Sequence, residues 1–266
     1  MTDKLKHTFA ILAYQQSPYL EACIESLQCQ SIESKIIIAT STPSRFLEKT
    51  AAKFGLPLLV NHGKKGIAAD WTYAYNTCRT EFLTLAHQDD LYMPDYAKTC
   101  LSIMKSSPNC LIAFTDYIEL FNNKIRDNNL LLNSKRMILF FFYQFKIKKN
   151  LSSCGIKKMM LSLGNPICCP SIMYHKKKIG NFAFDASLRM NLDWDASLKL
   201  SERKGDFIYI PKKLMIRRIH KESESTSALT TNVRQEEDSR LFERFWPKPV
   251  VKLIIKLYTL VYRSNG

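Results

Sequence analysis

The sequence predicts an α/β fold, a mostly parallel sheet flanked by helices and extended by an amphipathic helix at the C-terminus. Three observations predict it. Short apolar runs alternate with segments of helical period over the first hundred residues. The hydrophobic and charged fractions, 46% and 24%, are those of a globular chain and exclude a disordered or fibrous one. A polar cluster follows the fourth apolar run, at a strand end where open parallel sheets bind ligands.

The elements follow in order. Residues 9–14 are the first strand. Ser17-Pro18-Tyr19 then opens a helix with Leu20, Cys23, Ile24 and Leu27 at helical spacing. Residues 35–39 hold three consecutive isoleucines, as a buried parallel strand does. After a turn at 40–43, Ser44 caps a helix over 45–54. Residues 56–61 are the third strand, 63–66 a loop, 68–78 a helix, and 82–86 the fourth strand, ending at His87-Gln88-Asp89-Asp90. Such alternation implies right-handed crossovers.

Residues 126–160 change character, with eight Lys or Arg against Asp127 and the run Phe140-Phe141-Phe142-Tyr143. This reads as a helix with a solvated basic face, or as an acceptor or membrane contact. Residues 165–171 form a loop into a short strand at 172–174. Residues 193–201 are a helix, 207–210 a strand and 214–220 an extended basic segment. The helix at 253–263 closes the chain. Lys252, Lys256, Thr259 and Arg263 make one narrow polar stripe there, and the rest of the surface is apolar. Such a helix needs cover. The domain itself, a second copy in a homodimer, or an anionic membrane surface would each supply it.

The 266 residues carry 39 Lys or Arg against 24 Asp or Glu, a net charge of +15, which favours a polyanionic neighbour. Eight cysteines without a C-x-x-C pair indicate a reducing compartment. The start lacks a secretory apolar stretch. The runs at 137–145 and 250–262 are respectively too short and lysine-interrupted for a membrane span. The expectation is a cytoplasmic protein, with the option of resting on the inner face of the plasma membrane. Walker, G-x-G-x-x-G, H-E-x-x-H and G-x-S-x-G strings are absent from the sequence.

Asp89 and Asp90 are the first candidates for chemistry. Adjacent carboxylates at a strand end suit Mg²⁺, which takes one or two of them and leaves room for phosphate oxygens. Taken alone, they also suit a solvated turn. Asp193 and Asp195 flank Trp194, and at i and i+2 only one of them can face a cleft. That one could be a general base. His87 precedes the acidic pair, and His220 ends Arg217-Arg218-Ile219-His220. Asp70 begins a predicted helix, where the helix dipole favours a carboxylate.

Taken together, the motifs resemble a family 2 glycosyltransferase with the GT-A fold over roughly residues 7–228. The opening Ala10-Ile11-Leu12-Ala13-Tyr14, with the helix after it, resembles the family's first strand and helix. His87-Gln88-Asp89-Asp90 stands where the family carries Asp-x-Asp-Asp. Leu192-Asp193-Trp194-Asp195 stands at its Glu-Asp motif, and Arg218-Ile219-His220 at a late Arg-x-His element. Three departures are visible. His87 replaces the first Asp of the metal motif, Leu192 replaces the Glu, and Thr40-Ser41 stand where an acidic end of strand two is expected.

The resemblance implies a Rossmann-like sheet and an inverting, nucleotide-sugar-dependent transferase. It implies Mn²⁺ or Mg²⁺ at Asp89, Asp90 and His220, and Asp193 as the base. Ala13, Tyr14, Asp70, His87, Gln88 and Asp89 would line the donor, a UDP-sugar being favoured. Asn165, Ser171 and Trp194 would lie on the acceptor side. The acceptor would be a glycan or lipid-linked hydroxyl in bacterial surface polysaccharide or lipopolysaccharide synthesis, with no nucleic-acid partner. The expected organisation is a catalytic domain over 1–228, with a nucleotide half at 1–100 and an acceptor half at 101–228, followed by a helical segment over 229–266. The rival readings are a degenerate or non-enzymatic basic binding protein, for nucleotide or nucleic acid, and a nucleotidyltransferase on a similar sheet.

Overall fold

The structure is a computed structural model that describes residues 5–144, 150–220 and 233–263. Its first half follows the predicted alternation: β1 (His7–Leu12), α1 (Leu20–Gln28), β2 (Lys35–Thr40), α2 (Arg45–Phe54), β3 (Leu58–Val60), α3 (Ile67–Thr77) and β4 (Phe82–His87). Then come β5 (Leu91–Tyr92), α4 (Tyr96–Lys105), β6 (Cys110–Phe121), β7 (Lys124–Arg126), α5 (Leu130–Tyr143), β8 (Asn150–Leu151) and α6 (Cys154–Leu161). A 3-10 turn at Cys169–Ser171 leads into β9 (Ile172–His175) and α7 (Lys176–Ile179). The rest is α8 (Leu192–Ser201), β10 (Asp206–Ile219), α9 (Val233–Phe242) and α10 (Lys248–Arg263).

One mixed sheet runs in the order β3-β2-β1-β4-β9-β6-β10-β5, with β7 on β6 and β8 on β10. β1 to β4 pair in parallel, β9 is antiparallel to both neighbours, and β6 and β10 are parallel. Strand side chains alternate between two cores. On β2, Ile36 and Ile38 face the layer of α1, α2 and α4, while Ile37 and Ala39 face the layer of α3, α5, α6 and α8. Burial on both faces is why β2 reads as a continuous isoleucine run.

The Ser44 cap forms as expected, its hydroxyl accepting from Leu47 N at 3.3 Å. The strands expected at 207–210 and 214–220 are one long strand with register shifts around residues 210–215. β6 had no counterpart in the sequence reading. Gly205, which leads into β10, has φ +130°. A Cβ there would meet Asn109 O and the Leu111 side chain, so only glycine fits.

α9 and α10 join the same core, burying Leu241, Phe242 and Val251. Residues 221–228 of the resemblance, Lys146, Lys148 and Lys149 of the basic stretch, and the side chains of Thr259 and Arg263 lie outside the described residues.

Candidate active site

The site forms at the carboxyl ends of the strands. His87 ends β4, and a tight turn follows, closed by Asp90 N–H to His87 O at 3.3 Å. β5 then pairs antiparallel with β10, Leu91 opposite Ile216 and Tyr92 opposite Met215. That register lays residues 217–220 against 89–90, although the two segments are far apart in sequence. Arg218 N–H donates to Asp90 Oδ1 at 2.9 Å, and Arg218 Nε donates to Asp89 O at 3.0 Å. His220 Nε2 donates to Asp89 Oδ2 at 3.0 Å. Tyr19 at the entrance to α1 packs against both side chains, with the Arg218 guanidinium 4.4 Å above its ring and the His220 ring at 4.8 Å.

The candidate ligand atoms of His87, Asp89 and Asp90 lie within 4.8 Å of one another. Burial raises Asp90 well above the usual carboxylate range, and the adjacent Asp89 charge adds to this. At Asp89 burial pushes the same way, but the His220 hydrogen bond and neighbouring charges outweigh it and hold the carboxyl low. His87 is lowered by burial, so its imidazole is neutral and able to act as a ligand. Among the described residues, His87 Nε2 is buried with no hydrogen-bond partner. His87 Nδ1 lies 3.8 Å from Asp90 Oδ2, and two crowded carboxylates beside a neutral imidazole fit a hard divalent cation such as Mn²⁺ or Mg²⁺.

Asp193 stands in the first turn of α8. Trp194 N–H donates to its Oδ1 and the Asn165 amide to its Oδ2, both at 2.9 Å. Burial raises its pKa, while Lys135, the Trp194 N–H, Arg234 and His87 act against that rise. The charges of Asp193 and His87 act weakly on each other. Asp195 points into the core, fully buried, pairing with Arg244 at 2.8 Å and Lys199 at 2.7 Å. Helical geometry thus leaves Asp193 as the carboxylate for the cleft.

On the donor side, Gln88 clasps the backbone of Tyr14, accepting from its N–H at 3.0 Å and donating to its carbonyl at 3.1 Å. Ala13 is buried where β1 ends, and Tyr14 is exposed. Asp70 accepts from Ser41 Oγ at 2.6 Å and from the Asn61 amide at 2.9 Å. A carboxylate from α3 therefore stands beside the end of β2, the place where Thr40-Ser41 lack one.

Two of the residues expected on the acceptor side are buried. Ser171 is fully buried, its hydroxyl donating to Cys168 O at 2.7 Å to close the 3-10 turn. Trp194 is a core residue. Its indole N–H donates to Leu161 O at 3.1 Å and its ring meets Phe242 edge-on. The bulky ring belongs to the buried side of α8, about 100° around the helix from Asp193.

The sequence reading did not single out Lys135 or Arg217, whose charges act on carboxylates of the candidate site. Lys135 acts electrostatically on Asp193, and Arg217 on both Asp90 and Asp193's neighbour Cys169. Lys135 stands within a stretch of many basic residues, which hides its individual role in the sequence.

Residues 8–164 match the family described as Glycosyl transferase family 2. The chain belongs to glycosyl transferase family 2. It is a glycosyltransferase, and the GT-A expectation holds for the fold. The structure is similar to S. aureus TarS 1–349 in complex with UDP-GlcNAc, with a TM-score of 0.61 and 14% identity over 94% of this chain and 70% of that one. It is also similar to the mannosyltransferase PcManGT from Pyrobaculum calidifontis in complex with GDP-Man and Mn²⁺. There the TM-score is 0.62 and the identity 11%, over 99% of this chain and 72% of that one. No curated protein matches the sequence. Among the described residues no helix is long and apolar enough to cross a membrane.

Proposed function

We propose that this glycosyltransferase moves a sugar from a nucleoside diphosphate to an acceptor hydroxyl, with inversion at the anomeric carbon and dependence on a divalent cation. The arrangement that carries the reading is the joined cluster of His87, Asp89, Asp90, Arg218 and His220, with Asp193 and His87 acting weakly on each other. Similar structures hold UDP-GlcNAc in one case and GDP-Man with Mn²⁺ in the other, which supports the donor class and the cation.

His87, Asp89 and Asp90 would hold the cation, with His220 fixing Asp89. The cation, when bound, supplies Lewis-acid stabilisation of the departing diphosphate. Asp193 takes the proton of the acceptor hydroxyl. The acceptor oxygen forms the new bond to the anomeric carbon as the carbon–oxygen bond to the phosphate breaks, and its electron pair leaves with the diphosphate. Burial makes Asp193 a stronger base, and the two donors on its oxygens keep it ionised and oriented. Asp70 and the Gln88-clasped Tyr14 backbone would line the nucleotide. The acceptor would be a glycan or lipid-linked hydroxyl of a bacterial surface polysaccharide, assembled on the cytoplasmic side.

The test is thermal unfolding with UDP, GDP, dTDP or CMP, with Mn²⁺ or a chelator, alongside sugar transfer or donor hydrolysis. One nucleotide is expected to raise the melting temperature only with metal. A ligand at about 100 times its Kd adds about 2.7 kcal/mol, worth several degrees at this size. Asp89→Ala should abolish the shift. Asp193→Asn should keep it and lose about 10²–10⁴-fold in turnover. Absence of any nucleotide shift would overturn the reading in favour of a degenerate or non-enzymatic protein. Full turnover in Asp193→Asn would remove the base assignment.

A further inference from the structure

Large apolar side chains are not spread evenly over this surface. Of the fourteen that are exposed among the described residues, ten lie on α5, on α6 and the turn after it, or from Trp246 through α10. Leu130, Met137, Phe140 and Phe141 share the outward side of α5, whose opposite side buries Leu132, Leu139, Phe142 and Tyr143. On α10 and its approach, Trp246, Val250, Leu253 and Leu257 recur at spacings of four, three and four, one row along a helix face. Met159 and Leu163 lie between the two. The Tyr258 hydroxyl donates to Leu163 O at 2.9 Å, and Trp246 Nε1 donates to Ser162 O at 2.8 Å. α10 also packs directly against α5. The patch is therefore one surface built from three helices.

Its charge has one sign. The segments of α5, α6 and α10 contain eight Lys or Arg and no Asp or Glu; Lys157 is buried and Arg136 and Lys158 are paired with carboxylates, while Lys248, Lys252 and Lys256 stand exposed beside the apolar row. Lys252 and Lys256 are exposed in a row beside Leu253 and Leu257, so each turn of α10 offers a cation next to an apolar side chain. Two copies meeting through this face would bring like charges together, on a chain already carrying +15. An anionic lipid surface is complementary to both properties, taking up the apolar row below the headgroups and the lysines at them.

We infer that the face formed by α5, α6 and α10 docks the enzyme on an anionic membrane surface, lying on it rather than crossing it. The face leads directly to the proposed base. Leu163 at its rim is followed by Gly164 and then by Asn165, whose amide holds Asp193. Gly164 has φ +121°, and the Tyr258 hydroxyl of α10 occupies the place of a Cβ, so the docking helix is packed against the backbone that carries Asn165. A lipid-linked acceptor would thus reach Asp193 from the membrane side. This last step rests on the assignment of Asp193; the docking itself does not.

The experiment is flotation of the full chain with vesicles of phosphatidylcholine alone or mixed with phosphatidylglycerol, at low and high salt. Binding is expected only to the anionic vesicles and weaker in high salt. Lys252→Gln with Lys256→Gln should reduce partitioning about fivefold per lysine. Leu253→Glu with Leu257→Glu should reduce it at least about tenfold. The pair Phe140→Ser and Phe141→Ser tests the α5 side independently, should the leucine pair fail to fold. Each variant should keep its melting temperature and its nucleotide shift, which separates failure of docking from failure of the donor site. No flotation, equal flotation with neutral vesicles, or unchanged flotation of the folded variants would overturn the inference. A lipid-free dimer dissociated by the leucine pair would overturn it in favour of a second copy.

Discussion

At the scale of single residues, the site depends on which oxygen of each carboxylate is already occupied. Asp89 and Asp90 are neighbours in sequence but differ in state, because His220 donates to the first while the second is buried against the backbone of Arg218. Asp193 is held at both oxygens, by the Trp194 N–H and the Asn165 amide. The amide donates to the charged form of the carboxylate and so favours ionisation. Replacing Asn165 by Ala should therefore raise the Asp193 pKa and move the acid limb of the kcat–pH profile to higher pH. It should also lower kcat by about tenfold at its optimum, as a base loses orientation. A profile of unchanged shape would mean that Asn165 only closes the loop. Asn165 was legible as a candidate, offered on the acceptor side with the family resemblance. Its partner was not, because a hydrogen bond between residues 165 and 193 has no signature in local sequence.

At the scale of elements, α8 presents the proposed base, and the turn before it is secured from far away. Its own N-cap residue, Asn191, makes no capping hydrogen bond by its side chain. Instead the Glu237 carboxylate on α9 accepts from the N–H groups of Arg189, Met190 and Asn191 at 2.7, 2.9 and 3.0 Å. Three donors on one buried carboxylate anchor the turn that leads into α8. Glu237→Ala should cost about 2 kcal/mol in urea unfolding and lower turnover while leaving the metal-dependent nucleotide shift in place. Loss of the nucleotide shift in a folded variant would contradict this. The helices and strands of the first ninety residues were legible almost to their boundaries, since their apolar periods are clean. β10 was read as two pieces because Pro211 and the lysines after it interrupt the apolar pattern at the irregularity in its register. β6 escaped because Asp116 and Glu119 lie within it. Both carboxylates are buried in ion pairs with arginines that arrive from other segments.

For the whole molecule, the segment after residue 232 is structural as well as surface-forming. Leu241 and Phe242 are fully buried, and Arg244 neutralises the buried Asp195. A chain ended at residue 232 loses about 5 kcal/mol from those two apolar side chains alone and leaves Asp195 with Lys199 only. Against a typical stability of about 5–15 kcal/mol, it should lose cooperative unfolding and near-ultraviolet circular dichroism. A truncated protein with an intact cooperative transition would show that the first 232 residues hold their own core.

The sequence by itself determined the α/β class, the order of the first elements, the acidic strand end and the family resemblance. Those follow from period, strand-end polarity and short motifs, which are local properties of the chain. Only the tertiary structure decided which motif residues meet. The pairing of β5 with β10 brings His220 to Asp89, helical geometry turns Asp193 outward and Asp195 inward, and Asp70 crosses from α3 to the end of β2. It also decided that Trp194 and Ser171 are core, and that the outer faces of α5 and α10 form one surface. These depend on register and packing between distant segments, and no window of sequence contains them.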